Sequence, residues 1–416
     1  MKKVAIIGTG ISGLGIAHLL HPTHDITLYE KNDYIGGHSR TVTTDNIPVD
    51  TGFIVFNAPN YPNLVGLFKQ LNVETQESSM SFGVSIKNNW LEYGTETGLS
   101  GMLAQKTNIL RPGYWKMLWD ILKFNRNALA YLDDARGLTL GQVCDELNIG
   151  SWCREYYLLA MGGCIWSTPL KQMLEYPAKT FIRFFKNHGL LTVNDHPQWH
   201  TVTGGSKSYV AKIAAPFKDK IKLNCGVASV TRENGKIQVL DTDNNKIEYD
   251  QIIFACHSDQ ALRMLAEPTT DEQQILGDIR YQNNTAVLHS DLSLMPENKK
   301  AWSSWVYLSK QKEHGDEQVS LSYWMNNLQS LKSDAPLIVT LNPGTRPNEA
   351  LIHDEYVFEH PVFDQKAINA QEKLPDIQGV NNTYFCGAWQ RYGFHEDGLW
   401  SAVRVAKKLG VDTPWA

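Results

Sequence analysis

Residues 3–13 read KVAIIGTGISG, a short apolar run that opens directly into three closely spaced glycines. A helical pattern follows to Leu20, and a second apolar run, residues 26–29, ends at Glu30. The order of strand, glycine turn, helix, strand and acid is that of a dinucleotide-binding βαβ unit, in which the acid accepts hydrogen bonds from a ribose diol. The segment therefore predicts an α/β fold with a Rossmann-like domain at the start of the chain.

Each glycine of the turn has a separate predicted role. We expect Gly8 to allow the tight turn, Gly10 to let a pyrophosphate approach the backbone, and Gly13 to let the helix pack on the strand. The N–H groups of Ile11 and Ser12 would face the phosphates at the positive end of the helix dipole. This arrangement predicts that the first turn of the helix contacts the cofactor.

The loop after the acid indicates which dinucleotide is bound. Lys31 follows the acid, and Gly36 and Gly37 form a pair that suits a loop doubling back beside the same pyrophosphate. This run resembles the N-terminal signature of the flavin-containing amine oxidase and phytoene desaturase superfamily, an acid followed by a Gly-Gly-Arg-like loop. The resemblance implies that the cofactor is FAD. The arginine is displaced here, so the side chain that meets the phosphate is one of three, namely His38, Ser39 and Arg40.

A second block, at the far end of the chain, supports the same cofactor. Residues 383–387 read as a buried strand ending in Gly387, and a helix is predicted over residues 399–409. Members of the superfamily have a closing strand, a glycine and a final helix whose positive N-terminus points at the flavin. The resemblance implies contacts from Gly387 and from four residues at the helix start, namely Glu396, Asp397, Gly398 and Leu399. By itself the block could be an ordinary terminal helix capped by Asp397.

Other runs resemble one bacterial subgroup of the superfamily, usually described as predicted NAD/FAD-binding proteins. They are residues 49–57, 61–64, 79–82, 160–168, 324–329 and 393–398. The resemblance covers nearly the whole chain, and it implies cofactor contacts from Gly52, Phe53 and Ile54 and an adenine contact from Val227. The subgroup is similar to flavin desaturases that act on methyl-branched fatty acyl chains in furan fatty acid formation, which implies lipid dehydrogenation.

The chain is long enough for two domains, and both are predicted to be discontinuous. The FAD-binding domain takes residues 1–65, 200–265 and 378–416, and the substrate domain takes residues 66–199 and 266–377. The middle piece reads as a helix followed by four short strands, the last of which would rejoin the main sheet. The expected fold class is α/β, with a Rossmann-like FAD-binding domain of glutathione-reductase type and an α+β substrate domain.

Composition and charge limit the partners and the location. The 416 residues carry a net charge of -5, which argues against nucleic acid as a partner. The six cysteines are dispersed without a CxxC pair, so we expect no metal and no disulfide. We expect a cytoplasmic location because no apolar run is long enough to span a bilayer. No second GxGxxG follows a strand, so we expect electrons to leave the flavin for oxygen, a quinone or another acceptor.

Three functions compete. The first is FAD-dependent dehydrogenation of an apolar acyl or isoprenoid-like substrate, since tryptophan and tyrosine are dense in the predicted substrate domain and favour an apolar channel. Its candidate bases are His395, Tyr392 and Tyr323, and His395 is favoured because its block lies nearest the flavin. The second is amine oxidation, which commonly uses a lysine to hold a water at the flavin; residues 283–289, where it would be sought, contain none. The third is a non-catalytic flavin-binding partner of a lipid-modifying enzyme.

One further segment combines aromatic and basic residues. Apolar and aromatic positions dominate residues 109–131, and Arg111, Lys116, Lys123 and Arg126 punctuate them. Residues 181–186 repeat this chemistry. A helix of this kind can lie on a membrane surface, so one hypothesis is transient docking on the inner membrane surface to take up an acyl substrate. The alternative is a helix that packs between domains.

Overall fold

The computed structural model describes residues 1–166, 173–187, 189–191, 197–310 and 318–415. The end of the predicted 160–168 run therefore lies outside the described residues. The helices are α1 (Ile11–Leu20), α2 (Pro62–Gln70), α3 (Leu99–Met102), α4 (Pro112–Asn127), α5 (Leu140–Glu146), α6 (Ser151–Cys153), α7 (Leu159–Trp166), α8 (Ala178–Asn187), α9 (Lys207–Ala214), α10 (Ser258–Met264), α11 (Thr270–Gly277), α12 (Met325–Leu328), α13 (Gln365–Lys373) and α14 (His395–Lys408).

Within the described ranges the strands form five sheets. They are β1 (Lys3–Ile7), β2 (Asp25–Tyr29), β3 (Thr41–Thr44), β4 (Ile47–Asp50), β5 (Val55–Asn57), β6 (Thr75–Ser78), β7 (Phe82–Ile86), β8 (Leu91–Gly94), β9 (Trp199–Val202), β10 (Ile221–Lys222), β11 (Val227–Glu233), β12 (Lys236–Asp241), β13 (Lys246–Tyr249), β14 (Gln251–Phe254), β15 (Arg280–His289), β16 (Trp305–Lys310), β17 (Gln318–Trp324), β18 (Ile338–Leu341), β19 (Ile352–Val362) and β20 (Thr383–Phe385).

A parallel sheet of five strands, in the order β10-β2-β1-β14-β20, forms the centre of the dinucleotide-binding part. The inner strands β1 and β14 are near-continuous apolar runs because helices or a second sheet cover both faces. Helices α1, α2, α9 and α14 pack on one face, and the antiparallel sheet β11-β12-β13 packs on the other. Only β14 separates β1 from β20, so this topology brings the two ends of the chain to one sheet.

The second large sheet has seven strands in the order β19-β15-β18-β17-β16-β7-β8. Its pairs are antiparallel except for β16 with β7. One face packs against buried side chains of α4, α5, α7 and α8 in a single apolar cluster. Two small sheets, β3-β4 and β5-β9-β6, connect the two parts.

The predicted domain boundaries cut through packed elements and need correction. Helix α2 crosses the boundary at residue 65 and buries Leu64, Leu67 and Phe68 in the same cluster as α1. Helices α11 and α13 were predicted in the substrate domain, yet they pack against the parallel sheet beside Phe254 and Phe385. These helices lie on the same face of the parallel sheet as the β11-β12-β13 layer and belong to the same apolar cluster. The domain bounds otherwise stay a prediction.

Among the described residues, no helix combines the length and the apolar character needed to cross a bilayer.

Candidate functional site

The glycine turn between β1 and α1 has two glycines required by the fold and one that faces open space. Gly8 has φ +104°, and a Cβ on it would lie 2.7 Å from the carbonyl oxygen of Ala255. A Cβ on Gly13 would lie 1.9 Å from the carbonyl oxygen of Gly8. At Gly10 no other described atom lies within 4 Å of the Cβ position. A ligand can therefore approach the backbone most closely at Gly10.

The second glycine pair folds back against this turn. The Gly36 N–H donates to the carbonyl oxygen of Thr9 at 3.0 Å, and Gly36 forms a parallel bridge with Gly10. Gly37 has φ +58°, and a Cβ on it would lie 3.1 Å from the Gly10 Cα. The structure thus places the pair beside the turn, where the sequence predicted it.

Glu30 lies at the carboxyl end of β2, next to the turn. Its Oε2 accepts hydrogen bonds from the N–H of Thr9 at 3.1 Å and from Thr9 Oγ1 at 2.5 Å, and its Oε1 accepts from the Asn32 N–H at 2.9 Å. The side chain of Lys31 is exposed. Val227 begins β11 beside it, since a Cβ on the preceding Gly226 would lie 3.6 Å from the Lys31 Cβ. These residues form the far end of the predicted FAD groove.

The three side chains after the glycine pair point to different partners. The His38 ring lies 5.0 Å from the ring of Phe358 and 5.4 Å from that of His360. Burial, with a smaller effect of neighbouring His257, lowers the pKa of His38 to about 4, so the ring is neutral near pH 7. Ser39 Oγ lies 2.5 Å from the hydroxyl of Tyr209.

Arg40 is not available in the predicted role of phosphate ligand. Its guanidinium donates to both carboxylate oxygens of Asp354, at 2.6 and 3.0 Å, and lies 4.5 Å from the centre of the Tyr356 ring. A bidentate pair with a carboxylate neutralises the guanidinium and fixes its direction. The arginine therefore ties the cofactor loop to β19 of the large sheet.

Helix α14 begins at His395, four residues before the predicted start at Leu399. Asp397 explains the difference, because its Oδ2 accepts from the N–H groups of Tyr392 at 3.2 Å and Phe394 at 3.0 Å. Burial raises the pKa of Asp397 to about 6. The carboxylate thus caps its own helix, as the simpler interpretation of this block proposed, and the prediction that Asp397 contacts the cofactor is not supported.

Glu396 also has a structural partner where a cofactor contact was predicted. Its carboxylate accepts hydrogen bonds from the Asn63 N–H at 3.1 Å, from Asn63 Nδ2 at 2.6 Å and from the Leu64 N–H at 3.0 Å. These groups belong to the first turn of α2, whose N-terminal N–H groups have no partner within the helix. Glu396 therefore joins the start of α14 to the start of α2.

The starts of α14 and α1 lie against each other. A Cβ on Gly398 would lie 2.8 Å from Ile11 Cγ2 and 2.9 Å from Ser12 Oγ, and a Cβ on Gly15 would lie 2.6 Å from Leu399 Cδ1. Ser401 lies on α14 about one turn after Gly398, and its Oγ accepts a hydrogen bond from the N–H of Gly387 at 2.8 Å. Two helix N-termini are thus brought together from opposite ends of the chain, and both offer a positive dipole end to one ligand.

His395 is held tightly by other side chains. Its Nε2 lies 2.6 Å from the Tyr209 hydroxyl, and its ring stacks on that of Phe53 with centres 3.8 Å apart. Burial, followed by the effect of nearby His38, lowers the pKa of His395 to about 3. Such a ring is a weak proton acceptor, so the structure favours a positioning role over the predicted base. The partly buried Ile54, next to Phe53, packs on the large apolar cluster.

The other two candidate bases lie in different surroundings. The Tyr392 ring lies 5.4 Å from the guanidinium of Arg391, just before α14. Tyr323 is on β17 of the large sheet, with 8% of its surface exposed, and its ring centre is 5.4 Å from that of Trp305. The catalytic roles of both tyrosines stay predictions.

Sequence reasoning missed two residues of the site. Tyr209 lies on α9, the helix predicted for the middle piece, and its hydroxyl joins Ser39 and His395. Phe394 stacks on Phe184 of α8, with ring centres 5.0 Å apart, at the border of the large cluster. Its position directly before the final helix was the available signal, because that block was already assigned to the flavin.

One group of potential metal ligands occurs among the described residues. Ligand atoms of Cys225, Asp241 and Asp243 lie within 4.8 Å of one another. Asp241 Oδ1 accepts the N–H groups of Asp243 at 3.0 Å and Asn245 at 2.8 Å, so this carboxylate holds the turn between β12 and β13. The turn explains why these side chains lie together. The expectation that the protein uses no metal stays a prediction.

The residues present fit an elongated dinucleotide. Gly10 leaves open space beside the backbone for a pyrophosphate, and the two adjacent helix N-termini complement its charge. The carboxylate of Glu30 is only 6% exposed and lies at the ribose position of the βαβ unit. Gly8, Gly36 and Gly37 keep the two loops close enough to form one groove.

Comparisons with known proteins agree with this geometry. The model of the family "Flavin containing amine oxidoreductase" matches residues 11–326. The amine oxidase [flavin-containing] A of Sus scrofa is 23% identical over 271 residues, which cover 61% of this chain and 49% of that protein. The 15-cis-phytoene desaturase of Synechococcus elongatus is 38% identical over 74 residues, 17% of this chain and 15% of that protein. The first of these matches spans about half of the relative's length.

Solved structures confirm the predicted fold class. The cyclohexylamine oxidase of Brevibacterium oxydans superimposes with a TM-score of 0.70 at 16% identity, over 98% of this chain and 99% of that one. The CLA-producing fatty acid isomerase of P. acnes gives a TM-score of 0.68 at 15% identity, over 99% of both chains. At this identity the likeness concerns the fold alone.

Proposed function

Since this chain belongs to the flavin containing amine oxidoreductases and its cofactor is FAD, we propose that it is an oxidoreductase that dehydrogenates an apolar, fatty-acyl or lipid-like substrate. The reaction would remove two hydrogens from adjacent carbons and leave a double bond. Bound FAD would supply the two-electron acceptor, and oxygen or a quinone would take the electrons onward. The chain itself would hold the cofactor, exclude water and orient the substrate.

The observation that supports this substrate class is the composition of one face of the large sheet. All seven strands turn apolar or aromatic side chains to that face. One example from each strand is Phe82, Tyr93, Leu288, Trp305, Tyr323, Val339 and Phe358. A substrate bound at this cluster would be surrounded by apolar side chains of the sheet and of α4, α5, α7 and α8. An acyl chain gains free energy in such surroundings, whereas a charged group would lose its hydration there without a partner.

This apolar surface borders the cofactor groove. Val55 and Met80 pack both on the cluster of the large sheet and on the cluster that contains α1 and α14. Phe394, directly before α14, packs on the large cluster as well. A substrate bound at this border would therefore lie next to the elements that hold FAD.

The second candidate is amine oxidation. The curated relatives that favour it are flavin-containing amine oxidases. A desaturase is also among the matches, so the relatives do not decide between the two candidates. It is disfavoured by β15, whose residues 283–289 contain no lysine to hold a water at the flavin. A single experiment separates the two candidates.

We expect anaerobic addition of a lipid extract or of defined fatty acids to bleach the bound flavin, and amines to leave it oxidised. The product should have lost two hydrogens by mass spectrometry. Chemical reduction with dithionite is the control that the flavin is reducible in the protein. Bleaching by amines alone would establish the second candidate. If neither class bleached a reducible flavin, the chain would be a flavin-binding partner without this activity.

Trp305 is the residue we expect to hold the polar end of the substrate. Its Nε1 is buried and has no hydrogen-bond partner among the residues that the structure describes, although a buried N–H nearly always has one. We expect Trp305→Phe to raise KM about 5-fold with kcat nearly unchanged, because one buried hydrogen bond is worth roughly 1 kcal/mol. The ligand-free variant should unfold at the same temperature as the parent protein or above it. An unchanged KM would show that the indole does not touch the substrate.

A further inference from the structure

Helix α4 presents an apolar stripe to solvent. Trp115 is 49% exposed, Trp119 is 69% exposed and Leu122 is 49% exposed. Their spacing of four and three residues puts them on one side of the helix. On the other side, Tyr114 and Phe124 are fully buried in the large cluster. The helix is therefore firmly anchored, and its outer face is apolar where a globular protein normally places polar groups.

The turn before α4 extends this stripe. Ile109 is 47% exposed and Leu110 is 84% exposed. The indole N–H of Trp115 donates to the carbonyl oxygen of Ile109 at 2.9 Å, which joins the turn to the helix. We call the five residues the docking face; they are Ile109, Leu110, Trp115, Trp119 and Leu122.

Basic side chains outnumber acidic ones in the segment that carries the docking face. Residues 99–131 contain five basic side chains and one acidic side chain, in a chain whose net charge is -5. The single acid, Asp120, has 2% of its side chain exposed, and it pairs with Lys116 at 2.8 Å. The exposed cations include Lys106 and Arg126, on either side of the stripe along the chain. The surface is thus locally positive on a negatively charged protein.

From these observations we propose that the docking face binds the headgroup region of an anionic lipid bilayer. Tryptophan prefers the boundary between headgroups and acyl chains, and lysine and arginine beside it attract anionic lipids. Among the described residues no helix spans a bilayer, so the contact would be peripheral. The proposal goes beyond the proposed function and does not depend on it, because it concerns binding without turnover.

Helix α8 does not share this property, although its sequence predicted the same chemistry. Phe181, Ile182 and Phe185 are fully buried, and Phe184 is 6% exposed. The aromatic side chains of residues 181–186 fill the core, so the alternative of a packing helix is correct there. The membrane hypothesis is therefore confined to α4 and the turn before it.

The test is flotation of the FAD-loaded protein with vesicles, in the absence of substrate. We expect binding to vesicles that contain phosphatidylglycerol, weak binding to pure phosphatidylcholine, and release by salt. Trp115→Ser combined with Trp119→Ser should lower the partition coefficient at least ~10-fold. Lys106→Glu combined with Arg126→Glu should lower the partition coefficient for the anionic vesicles by a similar factor, ~10-fold, and leave the partition coefficient for the phosphatidylcholine vesicles unchanged.

Matched controls come from another exposed surface. Leu122→Ser is compared with Leu223→Ser, since Leu223 is 42% exposed near the edge strand β10. The charge control is Lys218→Glu, in the same region. We expect both control variants to bind vesicles like the parent protein, and every variant to keep its FAD and its melting temperature.

Two results would overturn the proposal. One is the absence of flotation with phosphatidylglycerol vesicles at low salt. The other is self-association of the parent protein that the two tryptophan substitutions abolish while vesicle binding is unaffected, because the face would then join two copies of the chain. Neither result would bear on flavin bleaching by substrate, so failure here is distinguishable from failure of the proposed function.

Discussion

Replacing Gly10 with alanine is expected to lower the affinity for FAD about 100-fold, a loss of about 2.7 kcal/mol, without changing the stability of the apoprotein. The backbone at Gly10 has φ -67° and ψ -176°, which any residue can adopt. No other described atom lies within 4 Å of the added methyl group, so the protein itself has room for it. The methyl would instead occupy the space that the pyrophosphate needs. Fluorescence titration with FAD and chemical denaturation measure the two quantities.

Two other glycines provide matched controls for Gly10→Ala. Gly277→Ala adds a methyl whose nearest neighbour is Leu262 Cδ2 at 3.6 Å, and it should change neither quantity appreciably. Gly13→Ala would place the methyl 1.9 Å from a backbone oxygen, and it should prevent correct folding of the domain. If Gly10→Ala bound FAD as the parent protein does, the pyrophosphate would not lie at this turn.

Replacing Glu396 with alanine is expected to lower the free energy of unfolding by about 3 kcal/mol, because three buried donors lose their acceptor. The donors are the N–H groups of Asn63 and Leu64 and the amide of Asn63, and the Glu396 carboxylate is 4% exposed. Denaturation of the apoprotein measures the change. Glu372→Ala, at an exposed position of α13, is the control and should alter stability by less than about 0.5 kcal/mol. If Glu396→Ala left the stability of the apoprotein unchanged but weakened FAD binding, the result would support the predicted contact between Glu396 and the cofactor.

The pH dependence of stability tests the same carboxyl group. Burial raises the pKa of Glu396 from 4.5 to about 7, so the folded protein binds this proton more tightly than the unfolded chain does. The protonated Glu396 carboxyl therefore contributes fully to stability at a pH below its pKa in the unfolded chain. This contribution is lost as the pH rises through its pKa in the folded protein. Relative to Glu396→Gln, the parent protein should lose about 2 kcal/mol between about pH 5 and about pH 8. A difference independent of pH would contradict this assignment.

The sequence predicts correctly those elements whose structure depends on residues that are close together in the chain. The spacing of Gly8, Gly10 and Gly13 requires a tight turn and a close helix whatever the rest of the chain does, and α1 begins at the expected residue. The apolar runs of β1 and β14 likewise indicate strands buried on both faces. The fold class follows from these features because they fix the order of strands and helices in the first unit.

The partners of the polar side chains could not be predicted in this way. Glu396 meets Asn63 across 333 positions of sequence, and Arg40 meets Asp354 across 314. A carboxylate beside a flavin and a carboxylate beside a helix start look alike in sequence. The two are distinguished only when the tertiary structure places a donor next to one of them.

Burial of amphipathic helices was the other feature that sequence alone left open. Helices α4 and α8 both combine aromatic and basic residues, yet Trp119 is 69% exposed whereas Phe181 is fully buried. Composition describes what a helix face can contact, and the packing of neighbouring elements decides what it does contact. The predicted domain boundaries cut through packed elements for the same reason, since α11 and α13 pack on the parallel sheet from distant parts of the chain.

The central claim is that the glycine turn after β1 and the start of α14 together hold one FAD. The most direct measurement is the flavin content of the purified chain after reconstitution with FAD and removal of the excess. Equimolar flavin, with its absorption bands shifted from those of the free cofactor, is the result that the two adjoining helix starts predict. A colourless protein after reconstitution, with an intact fold by circular dichroism, would contradict the assignment of this groove.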